Sequence, residues 1–284
     1  MSDRLALHVG CRFDWESLYG ATAIGLVDPA PPAGGAAVSG ADARVIRELW
    51  SAGGTEFIDL YGNRSRRFAI PAGRSSFTFD ATVEMDAASE PHPTADDPQH
   101  LVADLPDAAL HWLLSSRYCA VESFAPTAWE LFGATPPGVA RVQAVCDWIH
   151  GNVTYGVPSV ETTTALEVLE RRGGMCRDFA HLGVTFCRAL NIPARYVMGY
   201  LPDIGIPGPY PLMDFHAWFE VFLGERWWTY DARFNEPRIG RLPIARGRDA
   251  VDVAMVTNYG LATLTGMTVI ADEVPMLVGD GEAS

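Results

Sequence analysis

The spacing of apolar residues predicts a buried helix that begins at Cys176. Gly173 and Gly174 end the helix before it, and Pro193 predicts that it stops near Asn191. Between these limits, residues suited to a buried face recur at intervals of three and four positions: Phe179, Leu182, Gly183, Phe186, Cys187 and Leu190. This spacing is typical of a helix that packs along one side. Cys176 therefore falls in the first turn, on the side that faces the interior.

A strict alternation of side chains predicts a strand over residues 215–223 and a hairpin after it. One face of this strand carries His216, Trp218, Glu220 and Phe222. Residues 224–225 (Gly-Glu) suit a two-residue turn, so residues 226–230 are predicted to return antiparallel. In this register Asp231 lies diagonally from His216 on the same face, about 7 to 8 Å away at the backbone. The two side chains are then within reach of each other.

Shorter patterns predict how the rest of the chain is organised. Alternating residues within 4–86 predict short strands, which we assign to a small β-sandwich domain over residues 1–90. Residues 91–100 (PHPTADDPQH) have the Pro-rich, polar composition of a linker. The third segment, residues 101–284, combines helical and strand patterns. The chain is therefore expected to be an α+β protein with an N-terminal β-sandwich domain.

Residues 101–284 are expected to form the domain that holds the chemistry. The pattern predicts three helices before Cys176: residues 106–114, residues 138–150 and a short helix opened by the capping box Thr164–Glu167. Strands that follow Asp231, including the alternating residues Met267–Ile270, are expected to close the sheet that holds the hairpin.

The composition fits one large or two modest globular domains. The chain has 284 residues, of which 48% are hydrophobic, so it can bury a sizeable core. No run of about 18 apolar residues occurs, so no contact with a membrane is expected, and the N-terminus lacks the segments of an export signal. The five cysteines are scattered rather than closely spaced, which favours reduced thiols. A cytoplasmic location is expected.

The charge of the chain argues against nucleic acid as a partner and is unevenly spread. The net charge is −14, whereas nucleic-acid binding needs a basic surface. Residues 171–248 contain eleven Arg against seven Asp and Glu, a local net of +4. Two interpretations remain open: a positive cleft that favours a thiolate and attracts acidic substrate groups, or arginines that pair with the acidic remainder of the chain. All 21 basic residues are Arg.

Cys176, His216 and Asp231 together suit nucleophilic catalysis. At a helix start, unpaired N–H groups and the positive end of the macrodipole favour a thiolate, so Cys176 is predicted to have a lowered pKa. His216 can then act as the base, and Asp231 can orient it. Taken singly, such a cysteine is more often a small buried apolar residue, and a strand His or Asp is more often structural. Their convergence on one predicted site favours the catalytic interpretation.

The segments that carry these residues resemble the transglutaminase-like superfamily. Four motifs carry the resemblance: G-x-C-R-D-F-A-H-L at 174–182, N-I-P-A-R-Y at 191–196, F-H-A-W-F-E-V at 215–221 and W-x-x-Y-D at 227–231. The resemblance covers roughly residues 100–260 and implies a papain-like α+β core with Cys176, His216 and Asp231 as its catalytic triad. Many members continue with Pro-Thr after the Asp, where this chain has Ala232 and Arg233. This departure affects the rim of the site.

The resemblance implies a bacterial cysteine-dependent enzyme that transfers acyl groups from amide or peptide bonds through a thioester. Attack by water would make it a protease or amidase, and attack by an amine would make it a transglutaminase. We expect hydrolysis, because the local excess of Arg repels an ammonium group and the Pro- and Gly-rich residues 201–213 can line an open cleft. The expected substrate is a peptide or protein that carries an amide. The alternative from another class is a non-catalytic protein-interaction module that keeps the fold.

Three further residues are expected near the oxyanion or the substrate. Tyr155 ranks first as the side-chain donor to the oxyanion, beside the backbone N–H of Cys176. Asn152 is a second candidate, and Trp218 is expected to line or underlie the site. No cofactor and no metal are expected, because the His and Cys residues of 176–187 lack the spacing of zinc ligands and no acidic loop suits calcium.

Overall fold

The computed structural model describes residues 4–31, 40–88, 90–95 and 97–276. The helices of these residues are α1 (Asp107–Leu110), α2 (Val121–Phe132), α3 (Val139–Asn152), α4 (Ala165–Arg171) and α5 (Cys176–Ala189), with 3-10 turns at Val102–Asp104 and His111–Leu113. The strands are β1 (Arg4–Ser17), β2 (Ala21–Gly25), β3 (Arg44–Trp50), β4 (Thr55–Ile58), β5 (Arg64–Ile70), β6 (Gly73–Asp86), β7 (Thr154–Tyr155), β8 (Gly173–Gly174), β9 (Ala194–Tyr200), β10 (His216–Leu223), β11 (Arg226–Tyr230), β12 (Leu242–Gly247), β13 (Val256–Tyr259) and β14 (Ala262–Val274). The predicted α+β class is confirmed.

A four-stranded antiparallel sheet carries the strands predicted to hold the site. Its order is β11-β10-β9-β12, and helix α5 packs on β9 and β10. All eight residues of β10 are buried, so both faces of this strand are covered. Gly183 lets α5 approach β10 closely, because a Cβ at that position would stand 2.3 Å from the ring of Phe219. This close packing fixes the start of α5, with Cys176, relative to β10.

The hairpin has the register predicted from the alternation of side chains. Leu223 pairs with Arg226, and Phe219 pairs with Tyr230. Asp231 follows directly after the last paired residue of β11, so it lies near the start of β10. The hairpin alone therefore brings the predicted base and its orienting carboxylate to one end of the sheet.

The helices before Cys176 follow the predicted order with one addition. Helices α3 and α4 form, and Thr164 and Glu167 exchange the hydrogen bonds of a capping box. Residues 106–114 form α1 and a 3-10 turn rather than one helix. Helix α2 was not predicted, because it contains Pro126, and proline in a helical pattern normally indicates an end. No helix of the described residues is long and apolar enough to span a membrane.

The remaining long strands form two further sheets, ordered β14-β1-β6-β3 and β13-β2-β5-β4. Phe77 in the first sheet contacts Phe68 in the second, with 4.6 Å between ring centroids. Strands β13 and β14 come from the C-terminal part of the chain but pair with β2 and β1. The expectation that Met267–Ile270 closes the hairpin sheet is therefore wrong, and β12 is the edge strand instead. Alternation identifies a strand but does not identify its partner.

All three sheets contribute to one hydrophobic core. Phe13 of β1 and Phe215, which precedes β10, lie 6.3 Å apart between ring centroids. Tyr200 of β9 donates a hydrogen bond to the Val27 carbonyl at 2.9 Å. A β-sandwich domain over residues 1–90 and a linker at 91–100 remain predictions. The pairing of β13 and β14 adds C-terminal strands to the N-terminal sheets, so residues 101–284 do not form one sheet by themselves.

Candidate active site

Cys176 is the first residue of α5 and lies against the start of β10. Its Sγ is 4.0 Å from the Phe215 carbonyl oxygen, and the backbone N–H of Ala217 is a second hydrogen-bonding neighbour. The thiol therefore contacts the peptide groups on both sides of His216. Of the cysteines in the described residues, Cys176 alone is partly exposed, and the other four are buried. Access for a substrate thus singles out this sulfur.

His216 and Asp231 are joined by a short hydrogen bond within the protein interior. His216 Nε2 lies 2.7 Å from Asp231 Oδ2, and both residues are buried. An ionised carboxylate can only accept, so Nε2 carries the proton and donates it. The neutral imidazole then keeps its lone pair on Nδ1. Asp231 thereby fixes both the orientation and the tautomer of His216.

Arg241 is a second cation on Asp231 that the sequence analysis missed. Its Nη1 donates to Asp231 Oδ2 at 3.0 Å, and its Nε donates to Glu90 Oε1 at 2.5 Å. The guanidinium lies 4.7 Å from the ring of Trp218 and is fully buried. A continuous series of hydrogen bonds therefore links Glu90, Arg241, Asp231 and His216. Glu90 belongs to the end of the predicted sandwich domain, and nothing local in the sequence pairs it with Arg241.

Arg233 stands at the rim of the site, where many resembling sequences have Thr. Its backbone N–H donates to Asp231 Oδ1 at 2.9 Å, and its Nη1 lies 3.4 Å from His216 Nδ1. The guanidinium covers the ring of Tyr155 at 3.9 Å. Both interpretations of the local Arg excess therefore have an example, because Arg241 pairs with carboxylates while Arg233 faces the histidine.

Burial and charge set the protonation of His216 and Asp231 in opposite senses. Burial lowers the pKa of His216, and Arg241 and Arg233 add to this effect, while Asp231 partly offsets it. Burial alone would raise the pKa of Asp231, but the charges of His216 and Arg241 together hold it well below its usual value. Near neutral pH the histidine is therefore neutral and the aspartate ionised.

The Cys176 thiol does not behave as the sequence predicts. Burial raises its pKa to about 11, and the Ala217 N–H and the Arg233 guanidinium offset only part of this effect. The prediction of a lowered pKa is therefore wrong. A helix terminus stabilises a nearby charge by about 0.3–1 kcal/mol, which is less than the cost of taking a thiolate out of water. At rest Cys176 is therefore a thiol and His216 a neutral imidazole.

The three tentative site residues have different surroundings. Tyr155 pairs with Gly174 in the parallel β7–β8 ladder, and its ring packs on Phe179. Burial raises the pKa of Tyr155 to about 12, and the neighbouring Cys176 adds to this rise. Its hydroxyl therefore keeps its proton and can donate near the nucleophile.

Asn152 and Trp218 are less suited to contact a substrate. Asn152 is the last residue of α3, and its Nδ2 donates to the Trp148 carbonyl at 2.8 Å, so the donor predicted for the oxyanion is already bonded within the helix. Trp218 is fully buried and stacks beside His216, with 6.2 Å between ring centroids. This position agrees with the expectation that Trp218 underlies the site, and a direct contact with substrate stays a prediction.

His181 shows why the residues of α5 do not form a metal site. Its Nε2 accepts a hydrogen bond from the Ala250 N–H at 3.1 Å, and burial lowers its pKa to about 3. Its role is therefore structural. Across the described part of the chain, no group of three or more His, Cys, Asp and Glu side chains is arranged to hold a metal ion.

Comparison with known proteins relates this arrangement to a family. Residues 127–232 match the family model of the transglutaminase-like superfamily. An uncharacterized protein of Mycobacterium leprae is 34% identical over 119 residues, which cover 40% of this chain and 42% of that protein. An uncharacterized protein of Mycobacterium tuberculosis is 29% identical over 157 residues, which cover 52% of this chain and 50% of that protein. The chain spans about half the length of the curated relatives it matches.

A solved structure is similar over nearly the whole chain. This protein, a candidate cysteine protease from Cytophaga hutchinsonii, superposes with a TM-score of 0.82 at 28% sequence identity. The superposition covers 96% of this chain and 92% of that one. The similarity therefore includes the two N-terminal sheets as well as α5 and the β9–β12 sheet, which position Cys176, His216 and Asp231.

Proposed function

Because the chain belongs to the transglutaminase-like superfamily, we propose that it is a cysteine-dependent acyl-transfer enzyme with Cys176 as its nucleophile. The observation that carries the proposal is the 2.7 Å hydrogen bond between His216 and Asp231, with the Cys176 thiol against the peptide groups that flank His216. A partly exposed thiol beside an oriented imidazole is the arrangement that nucleophilic catalysis needs.

The first half of the proposed reaction forms a thioester. As Cys176 Sγ attacks the amide carbonyl, His216 Nδ1 takes the thiol proton, because Nε2 is occupied with Asp231. The backbone N–H of Cys176 and the Tyr155 hydroxyl are the proposed donors to the oxyanion. When the tetrahedral intermediate collapses, the C–N bond breaks and His216 gives its proton to the departing amine. The acyl group then remains on sulfur.

The second half resolves the thioester and restores the thiol. Water or an amine attacks the acyl carbon, and His216 takes a proton from this attacking group. The C–S bond then breaks, and the proton passes from His216 to the sulfur. We propose that water is the usual acceptor, so that the enzyme is a protease or amidase. Residues 207–212, which precede His216 in the chain, are exposed, as an open approach to the site requires. Arg233 next to His216 also disfavours an incoming ammonium group. The transglutaminase reaction is the alternative.

The proposal is tested by alkylation and product analysis. The protein is treated with iodoacetamide near neutral pH, the modified cysteines are mapped by mass spectrometry, and turnover of a panel of fluorogenic peptide amides is measured before and after. We expect Cys176 to be modified first and activity to disappear with it. Cys176→Ser should be inactive, whereas Cys119→Ser, the matched change at a buried cysteine, should keep its activity. Turnover that survives complete modification of Cys176 would contradict the proposal.

The choice between water and an amine needs a separate measurement. A peptide amide that the enzyme cleaves is supplied with a primary amine at millimolar concentration, and free acid and new amide are quantified. We expect free acid to dominate. New amide in clear excess at modest amine concentration would make transglutaminase the better description.

A cytoplasmic location and a peptide or protein substrate are part of the same proposal. Cell fractionation with an antibody against the chain tests the location, and recovery with the membrane or exported fraction would contradict it.

A further inference from the structure

We infer that Arg233 binds a carboxylate of the substrate, so that the site prefers amides whose acyl residue carries a negative charge near the scissile carbonyl. This inference rests on the proposed function, because it names the substrate class of the same site. It concerns the residue that replaces the usual Thr two positions after the aspartate, which makes it a property of this chain.

Arg233 differs from Arg241 and Arg177 in having no carboxylate partner. Arg241 contacts the carboxylates of Asp231 and Glu90, and Arg177 contacts Asp178. Within the described residues, no carboxylate lies in ion-pair distance of the Arg233 guanidinium, although the residue is half-buried. A partly desolvated cation is costly unless something compensates its charge. A substrate carboxylate would supply that compensation.

The residue is held in place before any substrate arrives. The guanidinium lies between the rings of Tyr155 at 3.9 Å and Phe234 at 4.5 Å. His150 Nδ1 donates to the Arg233 carbonyl at 2.9 Å, and the Arg233 N–H donates to Asp231. Both the backbone and the charged end are therefore fixed by other elements. A cation fixed in this way loses little freedom on binding, which is the condition for a selective contact.

The position of the guanidinium places a bound anion beside the reacting atoms. Arg233 Nη1 is 3.4 Å from His216 Nδ1, the nitrogen that takes the thiol proton in the proposed reaction. The charge of Arg233 also acts on Cys176, whose pKa it lowers against the larger effect of burial. A carboxylate held by Arg233 therefore belongs to the residue that donates the acyl group. The guanidinium has several N–H donors, so a carboxylate can accept from those that do not face Nδ1 while the two ring contacts keep the group in position.

Asp214 is the opposing charge at the site. It is exposed and precedes Phe215, and its charge raises the pKa of Cys176 where that of Arg233 lowers it. Asp214 repels an anionic substrate, so the preference predicted for wild type is the balance of the two residues. Asp214→Asn should increase the preference for an acidic substrate, and Arg233→Gln should abolish it.

The test compares two matched probes. Acetyl-Ala-Ala-Glu and acetyl-Ala-Ala-Gln amides of aminomethylcoumarin differ only in charge at the acyl residue, and kcat/KM is measured for both at low salt. We expect wild type to favour the Glu probe by about tenfold, the effect of one charge-assisted hydrogen-bonded contact. Arg233→Gln should bring the ratio to one or below, because Asp214 remains, and Arg233→Glu should lower it further. Arg226→Gln, which removes an exposed Arg at the far end of the hairpin, is the control and should leave the ratio unchanged.

Two outcomes overturn the inference, and both differ from a failure of the proposed function. If Arg233→Gln lowers kcat/KM for both probes by the same factor, the charge of Arg233 affects the reactivity of the Cys176 thiol and does not select the substrate. If no turnover is seen, binding of both probes to Cys176→Ala protein is measured by calorimetry instead. Equal affinities, or no binding of the Glu probe, refute the carboxylate contact. Selective binding of the Glu probe without turnover would support the contact and count against the enzyme assignment alone.

Discussion

Asp231 and Glu220 are two buried carboxylates of the same hairpin, and their partners differ in one respect. Glu220 accepts from Arg195 Nε at 2.5 Å and from Arg246 Nε at 3.0 Å. Asp231 accepts from Arg241 and from a histidine. Burial would raise the pKa of each carboxyl group, and in each the neighbouring cations outweigh burial and lower it.

The difference lies in whether a partner can change its charge near neutral pH. The partners of Glu220 are guanidinium groups, one of which covers the ring of Trp227 at 4.1 Å, and they stay charged throughout. The histidine on Asp231 can take up a proton, and the peptide groups that flank it contact a partly exposed thiol. Burial, ion pairing and a shifted pKa therefore do not distinguish the carboxylate of the proposed triad from the other carboxylate. A titratable partner close to the proposed nucleophile does.

The largest expected effect is on turnover when His216 is removed. His216→Ala should reduce kcat by about a thousandfold to ten-thousandfold, because the base and the nucleophile act as a unit. For the same reason, the double variant Cys176→Ala/His216→Ala should be no less active than Cys176→Ala alone. Kinetics on a cleaved peptide amide, with circular dichroism to verify folding, measure both. Near-normal turnover in His216→Ala would show that the base has been assigned wrongly.

The second prediction separates the two carboxylates directly. Asp231→Asn should keep most stability but lower kcat by about a hundredfold or more, although less than Cys176→Ala does, because the histidine loses its orientation and tautomer. Glu220→Gln should instead lower stability and leave kcat nearly unchanged. It leaves Arg195 and Arg246 without their shared anion, which costs about 3 to 5 kcal/mol in the free energy of unfolding, while kcat changes little.

Denaturant unfolding at several pH values sharpens this comparison. Because the folded pKa of Glu220 is lowered, its contribution is complete above the unfolded pKa of about 4.3 and is lost as pH falls through the folded value. The difference in stability between wild type and Glu220→Gln should therefore shrink below about pH 4. A difference that grew on acidification would mean that Glu220 is not ionised in its cluster.

The comparison also shows what the sequence could predict. The hairpin places His216 and Asp231 together through contacts only 15 positions apart, and alternation with a short turn predicts such a register. Arg241 reaches Glu90 across 151 positions, and no pattern in either segment indicates that contact. Arg233 was noticed because it departs from the motif, but its contact with His216 depends on the turn after Asp231.

Properties that depend on the whole fold were the least predictable. The helix start of Cys176 was predicted, yet its pKa is set mainly by how the sulfur is buried against β10, which the sequence of α5 does not contain. Strand β14 was recognised as a strand but assigned to the wrong sheet, because its partner β1 lies at the other end of the chain. Local periodicity predicts elements, whereas burial and long-range pairing decide their chemistry and their neighbours.

A third, smaller effect is expected at Arg241. Arg241→Met should lower kcat/KM by about tenfold to a hundredfold, because Asp231 then keeps only His216 and the Arg233 backbone N–H as partners. The sign of the accompanying pH shift follows from the charge. Arg241 lowers the pKa of His216, so its removal should raise that pKa and move the acid limb of the kcat/KM profile to higher pH. Glu90→Gln, which keeps Arg241, is the control and should shift the profile less. An unchanged profile would make Arg241 purely structural.

The smallest predicted effect is on the reactivity of the thiol itself. In wild type the pKa of Cys176 is raised to about 11, so its alkylation by iodoacetamide should accelerate about tenfold per pH unit between pH 7 and 10. A thiolate–imidazolium pair would instead show a plateau over this range. The charge of Asp231 raises the pKa of Cys176, so Asp231→Asn should alkylate faster than wild type by about twofold to fivefold at pH 8, although it turns over more slowly. Glu220→Gln should alkylate at the wild-type rate, because Glu220 does not act on the sulfur. Equal acceleration in both variants would mean that loosening of the fold, rather than charge beside the thiol, controls the reactivity of Cys176.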